Sequence, residues 1–223
     1  AIRENGLRIT GPVDEFTVEA YCTDPLRLDP GFKTVLLCVK AHHTSVALNV
    51  IGQLLHEDGF VVSVQNGLNE RGIAGAVGPE RTVGCFVNFG ADVLEPGVIM
   101  RGNRGAVVVG ELDGVRTDRI SAVHALFQDF DPDAVLTENI WGYLWGKLAY
   151  GSMLFATALA DASIADVLES AAHRPGIIGL AREAMAVAAA RGVKPEPFDG
   201  FDPGAFGPEA SEADADASLD RLG

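Results

Sequence analysis

Two rhythms of apolar and polar residues organise the first part of the chain. Residues 34–39 (TVLLCV) are an almost unbroken apolar run rich in Val and Leu, the pattern of a strand buried on both faces. Residues 45–55 follow with apolar side chains at Ala47, Leu48, Ile51, Leu54 and Leu55, which is helical spacing. Gly59 is expected to stop that helix, and residues 60–64 (FVVSV) repeat the buried-strand pattern. Strand, helix and strand in so short a span predict a βαβ crossover with parallel strands. Lys40 leaves the first strand, and Gln65, Asn66 and Gly67 leave the second. Open parallel sheets bind ligands outside the carboxyl ends of their strands. A cation and a carboxamide there could grip phosphate, ribose or a carbonyl. A solvated loop lysine and a plain Asn-Gly turn fit the same residues, and the pattern alone does not separate the two.

The rest of the chain divides in texture. Residues 6–9 and 16–21 read as short extended pieces around a Gly11-Pro12 turn. Asn69 is placed to cap a helix over 70–77, and 82–89 is a further strand. Pro96-Gly97 marks a turn, while 98–101 and 106–110 read as a hairpin around 102–105. Residues 117–130 carry apolar side chains at Ile120, Val123, Leu126 and Phe127, a helix with one buried face, and 134–137 is a last short strand. After Asn139 the pattern is helical. It predicts a long helix over 140–159, a helix over 164–169 capped by Ser163, and a helix opened by Pro175 that ends before Gly192. A βα domain over 1–137 and a helical domain over 138–223 are expected. Residues 195–208 lack periodicity and read as a long loop, and 210–223 is acidic with little apolar face.

Composition narrows the class. The 223 residues are 48% apolar and 22% charged, an ordinary soluble balance, with no apolar run of membrane-spanning length and no signal peptide at the start. The formal charge of -14 argues against nucleic acid or an anionic membrane as partner. From Pro195 onward eight acids face one base, Arg221, so this tail carries half of that charge. Cys22, Cys38 and Cys85 lack metal-ligand spacing; Cys38 and Cys85 lie in apolar strands, so buried free thiols and a reducing cytoplasm are expected. His42 and His43 are adjacent and read as loop residues, and His56, His124 and His173 are isolated and expected at the surface. No metal site and no Ser/His/Asp hydrolase arrangement is expected.

Several stretches together, LLCVKAHHTSVAL, VVSVQNGLNE, the EPG turn before VVVGELDG, and NIWGYLWGKLAYGSM, give the chain its resemblance to the ketopantoate reductases (2-dehydropantoate 2-reductases) and their paralogues. The resemblance runs from the start to about Lys194. It implies an α/β fold: a Rossmann-type NAD(P)-binding domain followed by an all-helical, 6-phosphogluconate-dehydrogenase-like domain, with the active site between them. It implies NADPH-dependent reduction of a small-molecule 2-oxo acid to a 2-hydroxy acid in pantothenate biosynthesis, in a cytoplasmic enzyme that could be a homodimer. It puts Lys40, Asn66 and Gly90 beside the cofactor and Lys147, of the W-x-KL segment, as the general acid that also touches substrate. That role suits the chemistry, since hydride arriving at a ketone carbon leaves an alkoxide that an ammonium can stabilise and protonate. Without the resemblance, Lys147 also reads as a lysine snorkelling from an amphipathic helix.

Two departures shape the expectations. The family's glycine-rich first βα unit has no counterpart, since no G-x-G-x-x-G occurs, and the family's last helices are also missing. The chain is therefore expected to be part of a longer protein, and by itself to hold NADPH poorly. The family's asparagines one and two turns after the catalytic lysine are replaced by Gly151 and Phe155, so an apolar wall stands where carboxamides would meet a hydroxylated substrate. The readings left open are a degenerate module that keeps the fold for interaction or regulation, and another 2-hydroxyacid or opine-type dehydrogenase.

Overall fold

A computed structural model describes residues 1–222. A short helix α1 (Ile2–Asn5) leads into strands β1 (Leu7–Thr10) and β2 (Phe16–Val18). The crossover read from the sequence then follows as β3 (Phe32–Leu37), α2 (Thr44–Leu54) and β4 (Leu55–Val64), and after it come α3 (Glu70–Val77) and β5 (Thr82–Val87). β6 (Ala91–Glu95), β7 (Val98–Arg101), β8 (Val107–Glu111), α4 (Asp118–Phe130) and β9 (Val135–Leu136) complete the strand-bearing part. Helices α5 (Ile140–Thr157), α6 (Ile164–Glu169), α7 (Arg174–Ala190) and α8 (Glu212–Leu219) form the rest. This is a Rossmann-type sheet domain joined to a helical domain.

The main sheet has the order β3-β4-β5-β8-β9. β3, β4 and β5 are mutually parallel, as the crossover pattern requires, and β8 runs antiparallel to β5. Successive residues of β5 and β8 point to opposite faces. Val83, Cys85, Val107 and Val109 pack towards α4, while Phe86 and Val108 pack into the core of the helical domain. Gly84 and Gly110 pair across these two strands and form a notch for Ile140, the first residue of α5. A Cβ on Gly84 would lie 2.7 Å from Ile140 Cγ1, and one on Gly110 would lie 3.0 Å from Ile140 Cβ. This notch seats the helical domain directly on the sheet.

Several sequence expectations are corrected. Gly59 does not end α2, which stops at Leu54; Gly59 lies inside β4, where a Cβ would come within 2.5 Å of Phe32 O, so the close approach of β3 demands glycine. Residues 98–101 and 106–110 do not form a hairpin. β7 pairs antiparallel with β6 around Gly97 (φ 91°) and parallel with β1, whereas β8 joins the main sheet. The chain changes sheets at 102–105, where Gly102 N–H donates to Gly90 O. Asn69 makes no side-chain cap; its Nδ2 donates to Asn66 O instead. Cys38 is exposed, because β3 is the edge strand of its sheet, and only Cys85 is a buried thiol. Leu126 is half exposed, although Ile120, Val123 and Phe127 are buried as expected. His124 is part-buried and bonds to Ala134 O.

The C-terminal stretch departs most from its reading. Residues 195–208 are a packed strap rather than a free loop: Phe198, Phe201 and Phe206 are buried and stack among themselves, with Phe198 edge-on to Phe86 of β5 and to Tyr150 of α5. The acidic segment beyond it forms α8, opened by a capping box between Ser211 and Asp214, with Ala215 and Leu219 one turn apart on its buried side.

Candidate functional site

The register of the parallel strands builds the site. Leu37 pairs with Ser63, and Val64 with Cys85. Counting on past the ladder brings Lys40, Asn66 and Val87 to one level at the carboxyl ends of β3, β4 and β5. Lys40 and Asn66 thus share the sheet edge, and both side chains are exposed there. Gln65, between the strands, holds the edge in shape. Its buried Nε2 donates to Val39 O at 2.6 Å and to Thr44 Oγ1 at 2.9 Å, pinning the Lys40 turn to the start of α2. Its Oε1 is buried without a partner. His42 and His43 sit in that same turn with ring centroids 4.0 Å apart.

Lys147 reaches this row from the helical domain. It lies in the middle of α5, and its Nζ donates to Val87 O. The ammonium also stands 5.1 Å from the centroid of the Phe86 ring, a cation–π contact. Burial is the largest influence on its pKa and lowers it to about 8, with the Asp199 carboxylate acting in the opposite sense. A half-buried lysine in that range is charged at neutral pH and can still give up its proton.

Gly151 and Phe155 follow Lys147 at one and two turns, so the three share a face of α5. A Cβ on Gly151 would meet the Phe155 ring at 3.8 Å, and the ring itself is 81% exposed. A large aromatic surface therefore stands open on the same face of α5, two turns beyond the lysine. Gly90 lies just past β5 with both backbone groups engaged: its N–H donates to Asn103 Oδ1 at 2.8 Å, and its C=O accepts from Gly102.

Three further residues at the site were not singled out from the sequence. Asp199, on the strap, accepts from Asn88 Nδ2 at 2.6 Å and from Ala106 N–H at 3.0 Å. Asn88 follows Val87 at the end of β5, so the strap is tied to the strand that holds Lys147. The available signal was Phe198-Asp199-Gly200-Phe201, an Asp-Gly turn between aromatic residues. Glu70 opens α3 just after the QNG segment; it is fully buried, and neither carboxyl oxygen has a hydrogen-bond partner. Burial is the largest influence on its pKa and raises it to about 7. Its only sequence signal is the distance of four residues from Asn66. Away from the cleft, His56, Glu57 and Asp58 bring ligand atoms within 4.8 Å of one another in the partly exposed, irregularly paired start of β4, although sequence spacing offered no metal cluster. Among the described residues no helix is long and apolar enough to cross a membrane.

Comparison with known proteins gives this geometry a context. The family described as ketopantoate reductase PanE/ApbA matches residues 1–114. A 2-dehydropantoate 2-reductase of Pyrococcus horikoshii is 31% identical over 157 residues, covering 69% of this chain and 50% of that protein. The chain spans 50% to 66% of the length of the first curated relatives it matches. Among solved structures, a putative ketopantoate reductase from Ralstonia solanacearum aligns over all of this chain and 72% of its own, with a TM-score of 0.80 at 23% identity. A D-mandelate dehydrogenase solved with NADH aligns over 98% of this chain and 67% of its own, with a TM-score of 0.77 at 17% identity. At these identities the structural likeness shows the fold.

Proposed function

The chain belongs to the ketopantoate reductase family, and on that premise we propose that it carries the catalytic cleft of an NADPH-dependent reductase that converts a 2-oxo acid to a 2-hydroxy acid. The observation that carries this reading is Lys147 Nζ on Val87 O, in the strand-end row that also bears Lys40 and Asn66. In this reading residues 1–137 serve the cofactor and residues 138–223 the substrate.

The residues at the strand ends fit one side of a nicotinamide dinucleotide. Lys40 offers a cation, Asn66 an exposed carboxamide, and Gln65 a buried carbonyl oxygen still without a donor. When bound, the cofactor supplies the hydride for the carbonyl carbon. This chain's residues do the rest. Lys147 faces the carbonyl oxygen, stabilises the charge that develops there and donates its proton to it. The Lys147 and Lys40 ammoniums favour an anionic substrate. Phe155, beside Gly151 on the face of Lys147, provides apolar surface for the substrate's side chain.

That last feature favours a specific choice among oxo acids. Carboxamides that would satisfy a hydroxylated chain are absent at 151 and 155, and an unmet substrate hydroxyl costs about 1–3 kcal/mol when buried. The preferred substrate is therefore a 2-oxo acid with an apolar or aromatic side chain, ahead of 2-dehydropantoate. The test is a panel of 2-oxo acids assayed with NADPH and with NADH in the full-length protein. Higher kcat/KM for the apolar members with NADPH is expected. A clear preference for 2-dehydropantoate would overturn the substrate choice, and no turnover of any oxo acid would overturn the reductase reading.

A further inference from the structure

The strap carries a charged residue that the proposed chemistry has not used. Phe198 and Phe201 exchange both backbone hydrogen bonds, so Asp199 and Gly200 are the two central residues of a tight hairpin. Both have positive φ, 44° and 81°, as a type I′ turn requires. Asp199 is the only non-glycine residue with positive φ among those described. The flanking Phe rings lock the turn into the aromatic cluster of Phe86 and Tyr150, and thus hold it against both domains. At its tip the Asp199 carboxylate accepts from Asn88 Nδ2 and from Ala106 N–H, bridging the ends of β5 and the approach to β8.

We propose that Asp199 is a positioning residue: it clips the strap to the ends of β5 and β8 and fixes a negative charge beside the place where Lys147 enters the strand-end row. The proposal rests on the reading of Lys147 as proton donor. Asn88, which holds the carboxylate, follows Val87, which holds the ammonium. Asp199 and Lys147 therefore grip adjacent residues, the last of β5 and the one after it, from two separate elements. No direct ion pair joins them, so the carboxylate leaves the ammonium free to face a substrate while opposing the effect of burial. The other titratable groups around Lys147 are Cys85 on β5, with Glu70 behind it, and Tyr143 and Tyr150 on α5, with Glu196 on the strap near Tyr143. Burial pushes Cys85 and Tyr150 up, so both are neutral near pH 7, and Asp199 is left as the anion that acts on Lys147.

Asp199→Asn isolates the charge, because asparagine tolerates positive φ and its carbonyl oxygen can still accept from Ala106 N–H. Lysines labelled by reductive methylation with carbon-13 allow the Lys147 methyl resonance, identified by its loss in Lys147→Ala, to be titrated by NMR. In Asp199→Asn its midpoint is expected at lower pH by about half a pH unit or more. Asp199→Gly, which preserves the turn and removes both the charge and the clip, is expected to show the same direction and covers the case in which the Asn variant does not fold. Reduction of the preferred oxo acid by Asp199→Asn should drop about 2- to 5-fold at pH 8, the range that a shift of about half a unit to one unit from about 8 produces, and recover to within about twofold of wild type at pH 6. An unchanged Lys147 midpoint in the folded variants would overturn the proposal. The NMR titration needs no turnover, so it decides on Asp199 even if the reductase reading fails.

Discussion

Replacing Lys147 with alanine is expected to lower kcat about 100-fold or more, with the affinity for the nicotinamide cofactor nearly unchanged. The size is that of a positioned proton donor and charge stabiliser removed from a partly dehydrated site. The selectivity follows from location: Lys147 belongs to α5, whereas the residues proposed to meet the cofactor, Lys40 and Asn66, end strands of the sheet. The bond from Nζ to Val87 O fixes the ammonium in their row before any substrate arrives. Lys147→Arg keeps the charge but is expected to stay impaired, because a guanidinium holds its proton near neutral pH and cannot occupy the same space above Phe86. Steady-state kinetics with the preferred oxo acid, beside a fluorescence titration of the cofactor, separates the two effects. Near-normal turnover by Lys147→Ala would reduce Lys147 to an anchor between helix and strand.

The second large effect concerns Glu70. Its side chain is fully buried, lacks hydrogen-bond partners and titrates near 7, against an ordinary value of 4.5. The folded protein therefore holds a proton between pH 4.5 and 7 that the unfolded chain releases. Its contribution to stability is greatest below the unfolded value and declines as pH rises through 7. Above that, a buried carboxylate is carried at a cost of about 3 kcal/mol, an upper figure for a group so displaced. Glu70→Gln keeps the shape and removes the charge. The variant is expected to be more stable than wild type by up to about that amount at pH 8, with the difference fading by pH 5. Urea unfolding at the two pH values is the measurement. An equal difference at both, or none at pH 8, would mean that Glu70 meets a partner or is reached by water in solution.

How much of this was legible in the sequence depends on the range of the interaction. The crossover was readable because buried parallel strands and a helix impose different apolar spacings, and β3, α2 and β4 keep them within 33 residues. The cap at Ser163, the turn at Gly97 and the helix end before Gly192 were local too. The false hairpin at 98–110 shows the limit. Two short apolar strands flanking glycines satisfy the local rule, and only the edges of two different sheets decide that β7 and β8 part company. The strap failed for the same reason. Phe198, Phe201 and Phe206 follow no period because they plug gaps between elements already formed. At the site, Lys40 and Asn66 were visible as residues leaving two buried strands and Lys147 through the family resemblance, but their common level depends on strand register. Asp199 and Glu70 depend on burial and on partners far away in the chain, such as Asn88, 111 residues from Asp199.

The pH dependence of single-turnover reduction tests the central claim most directly, because it observes the proton assigned to Lys147. With the preferred 2-oxo acid and saturating cofactor, the wild-type rate should be flat at neutral pH and fall as pH rises through about 8, where the buried ammonium loses its proton. In Lys147→Ala the remaining slow rate should show no such fall. A wild-type rate level through pH 9, or an alkaline fall that persists in Lys147→Ala, would contradict the account and assign the proton to another group.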